Sequence, residues 1–513
     1  MKPVSIGGSE LSLATLVGLS EPGAQIRLPR AARSGLSRSR AVITRVLKSG
    51  AMVYGVNTGF GKLSGVSIDP ARLGTLQRNL ILSHATGVGE MLAPPVCQLA
   101  FALRIHNLAR GYSGVRVSLL ETMISLFNAG LIPVIPSKGS VGASGDLAPL
   151  AHMALPLLGF GEVYDCQRNH RRIGGRTALK KVGVGPVELA AKEGLALING
   201  TQIMTAIGVL AVARARNLNK IADIACALTI EALRGSELPF APGVHELRPH
   251  DGQVLTAANL RSLLAGSSIM KSHVGCDKVQ DAYSMRCAPQ VHGAAKDALR
   301  FAQKVLCTEA SSVTDNPLVF PDGEVISAGN FHGQPVSQAM DFLAISLSTI
   351  ANISERRIEN LVNPDISGLP PFLAHEPGIE SGLMIPQVVA AALASENKTL
   401  SHPASVDSVP TSANREDHVS MGVTAARHAA VVVANTEKVL AIELMCGAQG
   451  IDCGESLRPG RGAAAAYKCI RKLVPPLEQD RFLAPDIGNL EQLIRSGQLV
   501  AEVESCRGLR LDL

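Results

Sequence analysis

The chain has 513 residues, 46% of them apolar and only 18% charged. That excludes a disordered chain and allows a large buried core, about three domains of ordinary size by length. The formal charge is +6, too small over this length to mark a polyanion binder by itself.

Aromatic residues make up 3% and Trp is absent, so the core must be built from Ala, Leu, Val and Ile. Ala and Leu favour helices, and a mainly α protein is predicted. The first ~60 residues mix short extended pieces with Gly and Pro turns, predicting a small mixed α/β N-terminal region. It includes a basic run, Arg27 to Arg45, with six Arg and no acid. Without interleaved aromatics this suits a solvated face or subunit contact better than a nucleic-acid surface. From Leu73 onward helices are expected to dominate. The long candidates are Leu195–Leu233, Ser337–Leu361, Gln387–Leu400 and Met421–Ala448, forming a long central bundle. An N-terminal region 1–190, a central bundle 191–450 and a C-terminal helical segment 451–513 are expected. Residues 194–213 carry no charge over a membrane's length, but Asn199, Thr201 and Gln202 favour a buried helix.

Ten cysteines are scattered with no CxxC spacing, and no apolar signal core opens the chain. Reduced thiols in a cytoplasm are expected. No His, Cys or acid cluster has metal-ligand spacing, and no phosphate-binding loop register is present.

The unusual residues fall in Gly-, Asn- and Pro-rich loops between bland helices. The most distinctive is "GSVGASGDLAPLAHMAL", residues 139–155. Ser144 invites a hydrolase reading, but the final glycine of a nucleophile elbow is misplaced. Helix capping by Ser144 or Asp146, with Pro149 in the first turn, is a plainer alternative. It leaves Gly142 and Gly145 unexplained. A third reading makes the backbone the reagent. The Gly145 nitrogen closes on the Ala143 carbonyl carbon, and dehydration of Ser144 leaves an electron-poor five-membered ring.

That segment resembles the prosthetic-group loop of the histidine and aromatic amino-acid ammonia-lyases. "YGVNTGFGKL", "NLILSHATGVGE", "GLALINGTQ", "KVQDAYSMRC", "GNFHGQPV", "NISERRIENL" and "SENKTLSHPASVDSVPTSANREDHVSMG" resemble the same family in order, over nearly the whole chain. The segments look most like its histidine branch. The resemblance implies a helical-bundle homotetramer with active sites shared between subunits. It implies a 4-methylidene-imidazol-5-one group (MIO) made from Ala143, Ser144 and Gly145, with no external cofactor. The implied activity is elimination of ammonia from L-histidine to give trans-urocanate, with no nucleic-acid or membrane partner.

The family's motifs carry roles onto matching positions. Tyr54 matches the catalytic base; a free phenol titrates near ~10, so the site would have to lower it. Arg286 matches the carboxylate-binding arginine, and its planar guanidinium suits that task. Gln280 and Tyr283 share its loop. Asn199, read as opening the helix after "GLALI", and Phe331 match residues around the prosthetic group. His84 and Glu416 match the residues that read the substrate ring, and an acid at 416 favours imidazole.

The chain departs from the histidine branch at Arg415, where Gln is usual, at Gln334, where Glu is frequent, and at Leu383 and Pro386. These bear on substrate choice. A lyase or 2,3-aminomutase for another amino acid is the alternative. A non-catalytic relative would be expected to lose Ala-Ser-Gly, Tyr54 or Arg286.

Overall fold

The computed structural model describes residues 2–8, 10–276 and 278–513. Helices account for 59% of the chain and strands for 7%, so the mainly α expectation holds. The strands are two to four residues long and form small sheets; the largest joins Leu131–Pro133, Glu162–Asp165 and Arg171–Gly174 in antiparallel order. All fall before residue 327, and most before residue 175.

The four longest helices are Gln202–Ala232, Ala288–Ser311, Gln334–Val362 and Gly422–Asp452. Two differences from the sequence reading stand out. The N-terminal 60 residues contain a 20-residue helix, Arg30–Ser49, which covers most of the basic run. Its pattern is amphipathic: Leu36, Val42 and Ile43 are buried and Arg30, Arg33, Arg38 and Arg45 are exposed, while the half-buried Arg40 turns inward to the Gly114 and Ala191 carbonyls. The helix Ala288–Ser311 is absent from the long candidates read in the sequence, and Pro289 and Gly293 fall in its first two turns. Proline in a first turn loses no helical hydrogen bond. Gly293 packs so closely on Gly252 and Gln253 that a Cβ there would meet Gln253 N at 2.3 Å.

The chain forms two compact units, each built from three stretches. The first comprises Met1–Leu210, Gln303–Asp341 and Pro403–Arg427; the second comprises Ala211–Ala302, Phe342–His402 and His428–Leu513. In the first unit the helix Pro94–Ala109 is buried from Cys97 to Ala109. One helix among the described residues, Gln334–Val362, is long and apolar enough to cross a membrane, and 72% of its apolar window is buried. All ten cysteines are free, as their spacing suggests.

Candidate active site

A cleft of about 1050 Å³ opens in the first unit. Its walls include Tyr54, His84, Ala143, Ser144, Asn199, Phe331, Arg415 and Glu416, brought together from six separate loops and helix ends. Eight of the residues singled out from the sequence therefore meet in one place.

The 139–155 segment enters the cleft as a tight turn. Gly142 and Gly145 both have left-handed backbone, with φ of 70° and 71°. A Cβ on Gly145 would lie 2.0 Å from the Gly200 carbonyl oxygen, and one on Gly142 would lie 2.1 Å from Ser420 Oγ. A side chain at 145 would force backbone apart, and one at 142 would have to displace the Ser420 hydroxyl; both would also be held in the left-handed region. Side-chain hydroxyls hold the turn: Ser140 Oγ donates to the Gly145 carbonyl at 3.2 Å, and Ser420 Oγ donates to the Gly142 carbonyl at 3.1 Å. Ala143 is buried, while Ser144 is half-buried and faces the cleft.

Asp146 occupies the N-cap position of the helix Leu147–Ala154 but makes no side-chain bond to it. Its carboxylate instead accepts from Ile203 N at 2.7 Å and Met204 N at 3.2 Å, the first turn of Gln202–Ala232. The capping expectation is thus corrected: the acid caps a different helix, 57 residues downstream. Burial pushes this carboxyl up to about 7, against the two amides that favour its charged form. Asp146 N also donates to the Gly200 carbonyl at 2.7 Å, locking the turn to the start of the long helix.

Ser144 Oγ donates to Glu416 Oε1 at 3.1 Å. The second Glu416 oxygen accepts from Thr411 Oγ1 at 2.6 Å. Thr411 and Glu416 also pair through their backbones, closing a short turn in which Ser412, Ala413 and Asn414 have left-handed φ. Thr411 was not singled out from the sequence; its spacing of five residues from Glu416 becomes meaningful only once that turn is known.

Burial raises the Tyr54 phenol above its ordinary value, a backbone contact at Gly61 opposes this, and the nearby Glu416 charge adds to the rise. The expectation that the site lowers this pKa is therefore not met by the chain in this state, because burial disfavours the phenolate and the nearby charge is an acid rather than a cation. Burial lowers the His84 imidazole, while the Leu80 backbone and Glu416 oppose that shift. His84 Nδ1 lies 3.1 Å from Ser83 Oγ.

Asn199 does not open a helix, contrary to expectation. It caps the C-terminal end of Glu193–Ile198 with extended backbone, and Gln202–Ala232 starts three residues later. Its amide NH₂ donates to Asp315 Oδ1 at 3.3 Å and to the Asn316 carbonyl at 3.1 Å. Both partners are acceptors, which sets the amide orientation. Asn199 Oδ1 is buried with no protein partner. Asp315 is held in turn by the fully buried Lys192 at 2.8 Å. This supporting pair was missed from the sequence, where a single Lys and a single Asp carry no spacing signal.

Arg415 is exposed at the cleft and makes no ion pair within 4.0 Å among the described residues, including with Glu416. Gln334 begins its long helix and donates from Nε2 to the Ser405 carbonyl at 3.2 Å; it does not line the cleft. Leu383 and Pro386 are buried in the second unit.

Gln280, Tyr283 and Arg286 also belong to the second unit and are absent from the cleft walls. They form a cluster of their own on the four-residue helix Tyr283–Arg286 and the loop before it. Arg286 Nε donates to the Asp281 carbonyl at 3.0 Å and Nη2 to Gln280 Oε1 at 2.8 Å. Its guanidinium carbon sits 4.5 Å from the centre of the Tyr283 ring, whose residue is 71% exposed.

Residues 11–472 match the family model described as aromatic amino acid lyase. A histidine ammonia-lyase of Alkaliphilus oremlandii is 52% identical over 506 residues, covering 98% of this chain and 99% of that protein. One of Deinococcus radiodurans is 52% identical over 493 residues, covering 96% and 93%. Among solved structures, a histidine ammonia-lyase from Trypanosoma cruzi aligns with a TM-score of 0.91 at 44% identity, covering 98% of this chain and 95% of that one. A tyrosine aminomutase from Streptomyces globisporus aligns at 0.93 and 38% identity, covering 99% and 100%.

Proposed function

The chain belongs to the aromatic amino acid lyase family, and on that premise we propose that it eliminates ammonia from L-histidine to give trans-urocanate, using an MIO group made from Ala143, Ser144 and Gly145 with loss of two waters. The observation that carries this reading is the Ala143-Ser144-Gly145 turn, flanked by left-handed Gly142 and closed by left-handed Gly145, whose Ala143 and Ser144 face the same cleft as Tyr54, His84 and Glu416. The turn fits the group: Gly145 has no Cβ to obstruct its nitrogen, Ser140 and Ser420 hold the flanking carbonyls, and the Ser144 hydroxyl that must leave is hydrogen-bonded to Glu416. Once formed, the group supplies an electron-poor carbon that takes up the substrate amine and makes it a better leaving group.

The remaining work falls to side chains. Tyr54 Oη accepts the β-proton, which requires its phenolate form. Glu416 and His84 face the imidazole and hold its N–H groups. Asn199, a residue of the cleft wall with one buried unpartnered acceptor, serves the prosthetic group and the substrate carboxylate, as the family resemblance implies. Arg286 takes the substrate carboxylate in a charge-assisted fork, with Gln280 and Tyr283 beside it. None of these three lines the cleft; the complete site is formed with a second copy of the chain in a homotetramer, as the family resemblance implies. The exposed Tyr283 and the 93% exposed Val279 are then covered by that copy.

A panel of L-amino acids, followed by ultraviolet absorbance of conjugated product and by released ammonia, tests the reading. Turnover of histidine to urocanate is expected. Conjugated product and ammonia from tyrosine instead would select a lyase for another amino acid, and recovery of a β-amino acid would select the aminomutase that the 38% identical tyrosine aminomutase makes concrete.

A further inference from the structure

The second unit buries a set of charged groups that the proposed chemistry does not use. Arg357 grips Glu443 with two parallel bonds, Nε to Oε1 at 2.5 Å and Nη2 to Oε2 at 2.9 Å. Asp223 accepts from His292 Nδ1 at 2.8 Å and from Lys296 Nζ at 2.7 Å. All five side chains are fully inaccessible to solvent. His292 joins the two pairs, because its Nε2 lies 3.2 Å from Arg357 Nη1. With Nδ1 donating to Asp223, Nε2 must accept from Arg357, so His292 is neutral; burial holds it there. The set then contains two cations and two anions and carries no net charge.

Such a buried array is poor value as a stabiliser, since well-packed apolar residues of the same volume often serve as well or better. What it offers is direction. Arg357 Nη1 has one further neighbour, the Ser284 carbonyl at 3.3 Å. Ser284 lies within the helix Tyr283–Arg286, which is only four residues long and cannot hold its own shape by internal hydrogen bonds. Arg286 leaves that turn two residues later.

We propose that Arg357 is a positioning residue: anchored by Glu443 and His292, it fixes the Ser284 carbonyl and thereby sets the turn that aims the Arg286 guanidinium at the substrate carboxylate. The proposal rests on the function proposed above. It adds that carboxylate recognition is controlled from within the helical core, through a backbone carbonyl and not through a contact with substrate.

The test uses full-length Arg357→Lys, which keeps the charge beside Glu443 but loses the fork, and the neutral double variant Arg357→Gln/Glu443→Gln. KM for L-histidine is expected to rise roughly tenfold or more, with a much smaller fall in kcat. The mass loss of two waters in the 139–155 segment should stay complete. Inhibition by L-histidinol, which has a hydroxymethyl group in place of the carboxylate, should change less than twofold. Arg286→Gln serves as the reference and should show the same signature. If Arg286→Gln leaves KM unchanged, the assignment of Arg286 fails, and the role of Arg357 with it. If Arg286→Gln raises KM but both Arg357 variants match the parent, or weaken histidine and histidinol equally, the positioning role is overturned. Failure of both variants to fold would assign Arg357 to the fold alone and overturn it too.

Discussion

Replacing Gly145 by Ala isolates the physical requirement on which the active turn depends. At φ 71° an Ala side chain occupies the left-handed region, which costs about 1–2 kcal/mol. The new Cβ would also stand 2.0 Å from the Gly200 carbonyl oxygen, more than 1 Å inside the 3.4 Å at which ordinary contact begins. Relief requires the two strands of backbone to separate. That breaks the 2.7 Å bond from Asp146 N to the same carbonyl, and leaving a buried amide unpaired costs about 1–3 kcal/mol more. The expected destabilisation is about 2–5 kcal/mol. Gly23→Ala is the control: its φ is 79°, but nothing lies within 4 Å of the added carbon, so only the cost of about 1–2 kcal/mol from the left-handed backbone applies. Urea unfolding of the two variants in parallel, followed by circular dichroism, measures the difference. Mass spectrometry of the 139–155 segment reads the chemistry, and Gly145→Ala should retain both waters. Equal stability of the two variants, or complete loss of two waters in Gly145→Ala, would refute the argument from close approach.

Ser144→Ala removes the hydroxyl that must leave, so turnover should drop to background and the segment should keep the mass of unmodified residues; undiminished activity would rule out the group. Tyr54→Phe should lower kcat by about 10²–10⁴-fold, the usual range for a lost general base, as measured in initial-rate assays. The same phenol is raised by burial and by Glu416, and it must be deprotonated to act. For the free enzyme, kcat/KM should therefore climb as pH rises from 7 through 9, and a profile flat across that range would mean that another group takes the proton. Arg415→Gln should change kcat/KM for histidine by less than about threefold, since the exposed guanidinium makes no ion pair beside Glu416. A tenfold change in steady-state kinetics would show that its side chain reaches the substrate.

Local pattern is strong where a segment carries its own chemistry or its own period. The small-residue run from Gly139 to Gly145, the Ala- and Leu-rich helices, and the scattered thiols could all be read in the chain, because each depends on residues near one another in order. The long helical spans were legible for the same reason: the stretches read at 337–361 and 421–448 correspond to Gln334–Val362 and Gly422–Asp452. Where the reading slipped, a tertiary contact had overridden a local preference. The uncharged stretch around Asn199 breaks there because Asp315 and the Asn316 carbonyl take the amide, and Asp146 takes the free N–H groups of the next helix.

Sequence by itself thus supplied the candidate site residues of this protein and the helical material that carries them. The tertiary structure alone decided how those residues are arranged and supported. Ser144 and Glu416 are 272 positions apart, yet they share a hydrogen bond. Asp146, beside a helix it could cap, caps another. Lys192 and Asp315 steady Asn199, and Arg357 reaches a turn 73 residues before it. The physical reason is the same in each case. A buried polar or charged group must find its partner wherever the packed chain brings one, and that partner carries no mark of its role in the order of the residues.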